Sequence, residues 1–442
     1  PLWSRGLGDV YKRQAPDRLT GFLNDRFGLF LHFGLYSIPA RGEWVQSNER
    51  ITAEEYRRYF EQFNPREYCP REWAKLAKEC GMRYAVMTAK HHDGFCLFDS
   101  KLTDFKSTNT PAGRDLIREY VEAFRAEGIR VGLYYSLLDW HHPDYPAYGD
   151  KQHPMRDEEV YRGIPQDFSN YLRYFHGQVR ELLTNYGKID LMWFDFSYQD
   201  SINDMTGEKW GATELIRMIR SLQPDIVLND RMGGHTGSIH PTLQYGDFVS
   251  PEQYLPPKGM TDENGSPIPW EACVTLNDHW GYCAADRNYK QPKEIIRALV
   301  ECVSKNGNLI VNVGPDAQGV IPEPAADILR RVGAWMRKNG ESITGCRAAE
   351  YEKPEWGRFT QGRDRLYAHI FDRGIGPVIL PGMAGRIRSA RLLCDGSEVS
   401  VARPWNQPDN DSDAFLNLPS GPMPDESDTV VVLELEKGES LL

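Results

Sequence analysis

The chain has 442 residues, of which 40% are hydrophobic and 26% are charged, and this composition excludes disordered, low-complexity and collagen-like proteins. Its 52 Lys and Arg residues against 63 Asp and Glu residues give a net charge of −11, which disfavours nucleic acid or an anionic membrane as a partner. No apolar run approaches the roughly 18 residues that a membrane span requires, so the sequence predicts a soluble protein without a membrane span.

The first residues differ in character from the rest of the chain. Residues 1–14 have no starting Met and no hydrophobic periodicity, and we interpret them as a non-native N-terminal scar. On this interpretation a native signal peptide would be missing, so the location stays open between bacterial cytoplasm, periplasm and secretion. We expect a catalytic barrel domain over residues 15–345 and a second domain over 346–442.

From Phe27 onward, short apolar segments typical of β-strands alternate with longer segments of helical periodicity, as in repeated βα units. Eight segments have strand character: 27–33, 84–88, 129–135, 189–194, 226–229, 246–249, 271–276 and 309–313. The segments at 246–249 and 271–276 have the weakest strand pattern. Eight such units predict an α/β protein with a (β/α)8-like TIM barrel.

The helical segments between these strands carry start and stop signals. Pro70 begins one helix that Gly81 ends, and Asp115 precedes another that Gly128 ends. Further helices are predicted over 168–186, 213–222, 292–304 and 325–338.

After about Gly345 the pattern changes to short alternating segments separated by Gly, Pro, Asn and Asp. Examples are 365–371, 376–380 and 429–435. Short strands with turn residues between them predict a C-terminal antiparallel β-sandwich domain.

Polar side chains follow six of the eight predicted strands. They are His32, then His91 to Asp93, then Tyr134 with 139–142, then Asp195, then Asn229 to Arg231, and finally Glu252. Functional residues of a barrel of this kind lie at the carboxyl ends of its strands. The repetition therefore predicts a functional site at that rim.

Two carboxylates in this set suit glycoside hydrolysis, which needs one group to attack or to activate water and one group to donate a proton. Asp195 ends an apolar strand in which Trp193 lies on the same side, toward the barrel mouth. Glu252 follows another candidate strand. The structural alternatives are a helix cap or loop salt bridge for Asp195 and an ordinary surface position for Glu252.

The basic side chains allow more than one interpretation. His91 and His92 could bind a metal ion, but adjacent residues on a strand point to opposite faces, and no further ligand accompanies them at metal-site spacing. Neutral imidazoles that contact substrate hydroxyls, or histidines with structural hydrogen bonds, are the other possibilities. Arg231 either pairs with Asp230 or Asp195, or donates hydrogen bonds to a sugar.

Several long motifs carry a family resemblance. They are 33–39 (FGLYSIP) with 42–44 (GEW), 90–95 (KHHDGF), 132–136 (GLYYS), 193–195 (WFD), 229–231 (NDR) and 306–315 (NGNLIVNVGP). In these motifs, from about Asp25 to the C-terminus, the chain resembles the retaining α-L-fucosidases of glycoside hydrolase family 29.

The resemblance implies an exo-acting α-L-fucosidase that hydrolyses terminal α-L-fucosyl residues from glycans by a retaining double displacement. It implies that Asp195 is the nucleophile and that Glu252 is the general acid/base. The implied substrate-binding residues are His32, Glu43, Trp44, His91, His92, Tyr134, Trp193, Arg231 and Trp280. The implied partner is a fucosylated oligosaccharide or glycoconjugate, with no metal and no organic cofactor, and an oligomer is compatible with the sequence.

The mechanism adds an expectation about surroundings. Glu252 should lie in the less solvated environment, so that it stays protonated, and Asp195 should lie beside Arg231. Glu271 is a rival for the acid/base role, and Met232 stands where the family commonly has an aromatic residue. A glycosidase for another sugar, such as a galactosidase, and a non-catalytic carbohydrate-binding protein are the competing classes.

Overall fold

The structure is a computed structural model, and it describes residues 17–199, 204–233, 243–402, 411–418 and 420–436. The segment interpreted as a scar, 1–14, lies outside the described residues. The helices are α1 (Asp17–Asp25), α2 (Val45–Asn48), α3 (Ala53–Gln62), α4 (Pro70–Glu79), α5 (Leu116–Ala126), α6 (Phe168–Asn185), α7 (Ala212–Leu222), α8 (Pro292–Val303) and α9 (Glu323–Asn339). Short 3₁₀ turns lie at Leu35–Ser37, Ser107–Asn109, Glu159–Tyr161, Gly207–Trp210 and Gly340–Ser342.

The strands divide between a barrel domain and a C-terminal β-domain. The first group is β1 (Phe27–Leu31), β2 (Tyr84–Lys90), β3 (Arg130–Ser136), β4 (Leu191–Asp195), β5 (Tyr198–Gln199), β6 (Asp204–Met205), β7 (Val227–Leu228), β8 (Glu271–Thr275) and β9 (Asn308–Val313). The second group is β10 (Arg347–Ala348), β11 (Gly357–Gln361), β12 (Leu366–Ile370), β13 (Val378–Leu380), β14 (Ile387–Leu392), β15 (Ser400–Val401), β16 (Ala414–Asn417) and β17 (Thr429–Leu435).

Seven parallel strands form one curled sheet in the order β7-β4-β3-β2-β1-β9-β8. The segment 246–253 lies between its two edge strands. On the β7 side the backbone N–H of Asp247 donates to the carbonyl of Leu228 (2.7 Å). On the β8 side the N–H of Glu271 donates to the carbonyl of Val249 (2.9 Å). These bonds complete the ring, and the predicted TIM-like barrel is confirmed.

The prediction of a regular strand at 246–249 is wrong, because this segment makes only isolated bridges, which join Asn229 to Phe248 and Val249 to Trp270. A side chain replaces part of the expected ladder here. The carboxylate of Asp247 accepts a hydrogen bond from the backbone N–H of Leu228 (2.9 Å). Side-chain bonds therefore hold a segment that backbone pairing alone leaves irregular.

The helices around the barrel follow the sequence signals. Pro70 occupies the first turn of α4, which buries Trp73 and Ala77 against the barrel. The carboxylate of Asp115 caps α5 by accepting the backbone N–H of Arg118 (2.9 Å). Both helices then lead into a barrel strand, as the βα pattern predicts.

The C-terminal β-domain contains a five-stranded antiparallel sheet, β10-β11-β12-β17-β14, and a three-stranded antiparallel sheet, β13-β16-β15. One apolar cluster joins the two sheets, with Ile370 and Val431 from the first and Leu380 and Leu416 from the second. The predicted antiparallel sandwich is confirmed. Its strands at 366–370 and 429–435 lie within the segments that the alternation pattern indicated.

Buried polar contacts join the two domains. The indole N–H of Trp335 in α9 donates to the carbonyl of Asp428 (2.9 Å), and Arg358 pairs with Glu301 of α8. The domain limits at 345 and 346 stay a prediction. No helix in the described ranges has both the length and the apolar character needed to cross a membrane.

Candidate active site

A cavity of about 620 Å³ opens at the carboxyl ends of the barrel strands, and all the predicted site residues line it. They are Asp195, Glu252, His32, Glu43, Trp44, His91, His92, Tyr134, Trp193, Arg231 and Trp280. A concave site with few convergent polar groups and aromatic walls is typical of a small-molecule binding site.

Asp195 is the last residue of β4, and both of its carboxylate oxygens are held. Tyr134 Oη donates to Oδ2 (2.7 Å), and Arg231 Nη1 donates to Oδ1 (2.7 Å). Burial alone would raise the pKa of Asp195, but the positive charge of Arg231, the neighbouring His92 and the Tyr134 hydrogen bond together lower it. Asp195 is therefore an ionised carboxylate at neutral pH.

Arg231 binds both candidate catalytic carboxylates at once. Its Nη1 lies 2.7 Å from Asp195 Oδ1, and its Nη2 lies 2.8 Å from Glu252 Oε2. Ser250 fixes the guanidinium by accepting from Nε (2.8 Å), and the Trp193 ring lies 4.3 Å below it. The alternative that Arg231 pairs with Asp195 is thus correct, and the pairing extends to Glu252.

Glu252 lies on the irregular segment 246–253 rather than on a strand. Its side chain is 34% exposed, against 13% for Asp195. The expectation that Glu252 occupies the less solvated surroundings is therefore wrong for this structure. The reason is its place on the rim, where its backbone bridges Cys273 of β8 and its side chain lines the open cavity. The expectation that Asp195 lies beside Arg231 is confirmed.

The two adjacent histidines face the same cavity. Strand β2 ends at Lys90, so His91 and His92 lie in a turn and the alternation of a strand does not apply to them. Their ring centroids are 4.1 Å apart. The argument that they point to opposite faces is therefore wrong. Among the described residues, no group of three or more His, Cys, Asp and Glu side chains is arranged to hold a metal ion.

The hydrogen bonds of His92 assign its tautomer. Ser136 Oγ donates to the carbonyl of Leu138 (2.9 Å), so it accepts from His92 Nδ1 (2.6 Å). The other ring nitrogen, Nε2, lies 4.0 Å from Asp195 Oδ2. Burial lowers the pKa of His92 to about 3, so the ring is neutral and Nε2 is a free acceptor beside the carboxylate.

A residue missing from the predicted set positions His32. Asn312 on β9 accepts from His32 Nδ1 (2.7 Å) and donates to the carbonyl of Trp280 (2.7 Å). Burial lowers the pKa of His32 to about 4, so this imidazole is also neutral. His91 is neutral for the same reason, and its buried Nδ1 has no hydrogen-bond partner among the described residues.

Aromatic rings and a buried carboxyl form the rest of the wall. Trp280 lies 5.2 Å from the His32 ring, and Trp44 lies 4.8 Å from the His92 ring. Glu43 accepts the backbone N–H of Gly281 (2.8 Å), and burial raises the pKa of its carboxyl. This contact joins the Glu43 loop to the loop that carries Trp280.

Sequence reasoning missed several residues that line the cavity: Phe30, Gln152, Phe196, Ser197, Tyr198, Gln253 and Tyr254. Four of them directly follow Asp195 or Glu252, so extending the search by two residues would have found them. Gln152 lies in a loop and Tyr198 lies on the short strand β5, and the two meet at Asp150. This buried carboxylate accepts from Tyr198 Oη and from the backbone N–H of Gln152 (2.7 Å).

Glu271, the rival for the acid/base role, and Met232, which replaces the family's common aromatic residue, both lie outside the cavity lining. Glu271 is fully buried and accepts from Trp193 Nε1 (3.1 Å) and from Tyr84 Oη. Burial raises the pKa of Glu271 to about 7. Met232 is buried, and its carbonyl accepts from Ser197 Oγ (2.8 Å). Both residues support the cavity wall from behind.

Comparisons with known proteins identify the family of the chain. The profile of the α-L-fucosidase family matches residues 10–341. Tissue α-L-fucosidase of Rattus norvegicus is 30% identical over 348 residues, which are 72% of this chain and 68% of that protein.

Solved structures extend the likeness to the whole fold. α-L-Fucosidase isoenzyme 1 from Paenibacillus thiaminolyticus is 62% identical, with a TM-score of 0.92 over 95% of this chain and 99% of that one. A family 29 α-L-fucosidase from Bacteroides thetaiotaomicron, trapped as a covalent intermediate with 2-fluoro-fucosyl fluoride in a Glu-to-Gln mutant, is 29% identical. Its TM-score is 0.81 over 96% of this chain and 97% of that one.

Proposed function

The chain belongs to the α-L-fucosidase family of glycoside hydrolases, and from this premise we propose that it removes terminal α-L-fucosyl residues from glycans with retention of anomeric configuration. The observation that carries the proposal is the single guanidinium of Arg231, which binds both Asp195 and Glu252 inside the cavity. The covalent intermediate trapped in the Bacteroides enzyme supports a retaining route in this family.

In the first step the carboxylate of Asp195 attacks the anomeric carbon. The bond from this carbon to the leaving oxygen breaks, and Glu252 gives its proton to that oxygen. The geometry supports the attack, because Tyr134 and Arg231 hold the two oxygens of Asp195 and the lowered pKa keeps it ionised. The product is a covalent fucosyl-enzyme.

In the second step Glu252 accepts a proton from water, and the hydroxide oxygen bonds to the anomeric carbon as the bond to Asp195 breaks. The exposure of Glu252 supports this role, because water reaches a carboxyl that is 34% exposed more readily than one inside the barrel. Two inversions at one carbon give overall retention.

The neutral histidines suit recognition of sugar hydroxyls. His92 Nε2 and Asp195 Oδ2 are both acceptors, and they lie 4.0 Å apart. A substrate hydroxyl between them would donate a hydrogen bond to one of the two acceptors. Two acceptors side by side favour a neutral hydroxyl group over an anion. The Trp280 ring, which lines the cavity beside His32, suits the apolar face of the sugar and its methyl group.

The leaving group must lie on the side of Glu252, because Glu252 protonates its oxygen. Tyr254 lines the cavity two residues further along the chain, and it is 43% exposed. An aromatic ring that is open to solvent beside the proton donor suits stacking of the next sugar of a glycan. We therefore assign the aglycone side of the cavity to Tyr254.

The proposal is tested with an aryl α-L-fucoside and an aryl β-D-galactoside side by side, while proton NMR follows the anomer of the sugar first released. We expect α-L-fucose as the first product and little turnover of the galactoside. Early β-L-fucose would overturn retention by this pair, and preference for the galactoside would overturn the assignment of the sugar. Silence on both substrates would favour a binding protein.

A further inference from the structure

The segment 246–253 joins β8 by a short series of backbone bonds. The N–H of Glu271 donates to the carbonyl of Val249 (2.9 Å). The N–H of Cys273 then donates to the carbonyl of Pro251 (3.0 Å). Each bond lies two residues further along both chains, as in a parallel ladder. The next bond of the series would join the N–H of Thr275 to the backbone carbonyl of Gln253.

A side chain makes this next bond instead. Gln253 has a φ of +59°, in the left-handed region that a non-glycine residue rarely adopts, so its backbone turns away from the ladder. Its side-chain Oε1 accepts the N–H of Thr275 (3.3 Å) in place of its own backbone carbonyl. Its own N–H still donates to the carbonyl of Cys273 (2.9 Å).

The other half of the Gln253 amide binds the same residue. Its Nε2 donates to Thr275 Oγ1 (3.0 Å). The Thr275 hydroxyl is itself fixed, because it donates to the carbonyl of Asn277 and is buried at 1% exposure. Both ends of the amide are therefore bonded to one rigid strand residue. We call this pair of contacts, Gln253 with Thr275, the amide clamp.

Glu252 lies directly before the clamp, between the two backbone bonds that Pro251 and Gln253 make to Cys273. Its side chain is 34% exposed and pairs with Arg231. A group that transfers a proton must be held within hydrogen-bond distance of the leaving oxygen, and a displacement of about 1 Å can cost about 100-fold in rate. The backbone position of this segment therefore matters for catalysis.

We propose that Gln253 is a positioning residue, whose amide clamp on Thr275 fixes the segment that carries Glu252 and so places the Glu252 carboxyl at the leaving-group oxygen. The inference rests on the proposed acid/base role of Glu252. Gln253 acts through Glu252, and it performs no proton transfer itself.

Two substitutions weaken the clamp by different routes, because Gln253→Gly removes both contacts and Thr275→Val removes only the contact to the hydroxyl. Gln253→Gly deletes the amide while glycine tolerates the left-handed backbone, so no strain is added. Thr275→Val keeps the shape of the side chain and removes the hydroxyl, and Thr275→Ser returns the hydroxyl. Ala40→Gly is the matched control, because Ala40 also has a positive φ, of 55°, and does not line the cavity.

The readout is the dependence on the leaving group, since a poor leaving group needs the proton of Glu252 and a good one does not. We expect Gln253→Gly and Thr275→Val to lower kcat/KM for phenyl α-L-fucoside about 10-fold and for 2-chloro-4-nitrophenyl α-L-fucoside less than about 3-fold. Azide, which needs no general base, should accelerate turnover of the second substrate in both variants. Thr275→Ser and Ala40→Gly should match the unaltered protein.

Glu252→Ala, measured in parallel, separates this inference from the proposed function. Glu252→Ala is expected to show the selective loss and the azide effect. If it does, but the clamp variants lose activity equally on both substrates or lose none, the clamp has no positioning role. If Glu252→Ala shows no selectivity, the acid/base role itself is wrong and the inference falls with it. Thermal unfolding of each variant identifies one that has not folded, and the remaining clamp variant then decides.

Discussion

Strand β4 and the segment 246–253 carry the two proposed catalytic carboxylates in different ways. Asp195 ends a regular strand that pairs residue by residue with β3, where it lies opposite Ser136. Glu252 lies in an isolated bridge, and bonds from side chains replace part of the ladder around it. The comparison teaches that one barrel can hold one carboxylate by regular backbone pairing and another by backbone bonds that side-chain contacts supplement.

The two segments nevertheless share one device. Phe196 has a φ of 79° and Gln253 a φ of 59°, so the chain turns in the left-handed region directly after each carboxylate. Such conformations in non-glycine residues are costly and persist where surrounding contacts determine them. In both segments the turn brings the following residues, Ser197 and Tyr254, onto the cavity wall.

The largest expected effect on activity is that of replacing Asp195, at the end of strand β4. Asp195→Gly should lower kcat by on the order of 10⁴-fold or more, because it removes the bond-forming group. With an activated fucoside, azide should restore turnover and give β-L-fucosyl azide, since only one inversion then occurs. An α-configured azide product would contradict the nucleophile role of Asp195.

Replacement of Glu252, on the irregular segment 246–253, should lower activity by an amount that depends on the leaving group. Glu252→Ala should lower kcat/KM about 10² to 10⁴-fold with a sugar or phenyl leaving group, because proton donation is lost. With an activated aryl fucoside and azide, the product should be α-L-fucosyl azide, since the fucosyl-enzyme still forms. Comparable losses on good and poor leaving groups would count against Glu252 as the acid/base.

Arg231 joins the two segments, so its replacement tests their coupling. Arg231→Met should lower kcat/KM about 100-fold, because both carboxylates lose a charged hydrogen-bond donor. Burial raises the pKa of Asp195 and Arg231 lowers it, so the pKa should rise in the variant. The acidic limb of the pH profile of kcat/KM should move to higher pH, and less so in Arg231→Lys. An unmoved limb would contradict this coupling.

Glu271 provides a smaller test behind the same wall. Glu271→Gln keeps an acceptor for Trp193 Nε1 and should lower activity less than about 10-fold, far less than loss of a general acid. Burial raises the pKa of Glu271 from 4.5 to about 7, so it makes the folded state less stable as pH rises through that interval. The free energy of unfolding should therefore depend less on pH between about 4.5 and 7 in the variant. A loss of 100-fold or more would revive the rival acid/base assignment.

The smallest effect is expected at the aglycone side. Tyr254→Ala should raise KM about 3-fold for an aryl fucoside, because a stacking surface is lost, and should leave α-L-fucosyl fluoride unaffected. Tyr254→Phe keeps the ring and should behave like the unaltered protein. Equal effects on both substrates would show that Tyr254 does not contact the leaving group.

Part of the site could be predicted because several of its polar residues interrupt, end or follow an apolar strand, whereas Glu43, Trp44 and Trp280 came only from the family resemblance. His32, Tyr134 and Asp195 interrupt or end such runs, and the carboxyl ends of parallel strands meet at one rim. Asn312 was missed because it lies inside an apolar strand, where a single polar residue has no sequence partner. Asp150 was missed because its contacts are Gln152 in a loop and Tyr198 on the two-residue strand β5, and neither segment shows periodicity.

The incorrect predictions have physical reasons of the same kind. The segment 246–249 has the composition of a strand, but the carboxylate of Asp247 takes a backbone bond that a neighbouring carbonyl would otherwise make. His91 and His92 were assigned opposite faces because the end of β2 at Lys90 depends on its pairing with neighbours. The hydrophobic pattern of a segment does not predict the residue at which its hydrogen bonds to the neighbouring strand end.

The sequence by itself determined the barrel and the β-sandwich, because hydrophobic periodicity and the order of βα units depend on neighbours along the chain. Its family motifs added eleven of the residues that line the cavity. Only the tertiary structure decided that Arg231 binds Asp195 and Glu252 together, that Glu271 is buried behind Trp193, and that Gln253 replaces a backbone bond to Thr275. These contacts join residues far apart in sequence, and their geometry exists only once the sheet has closed.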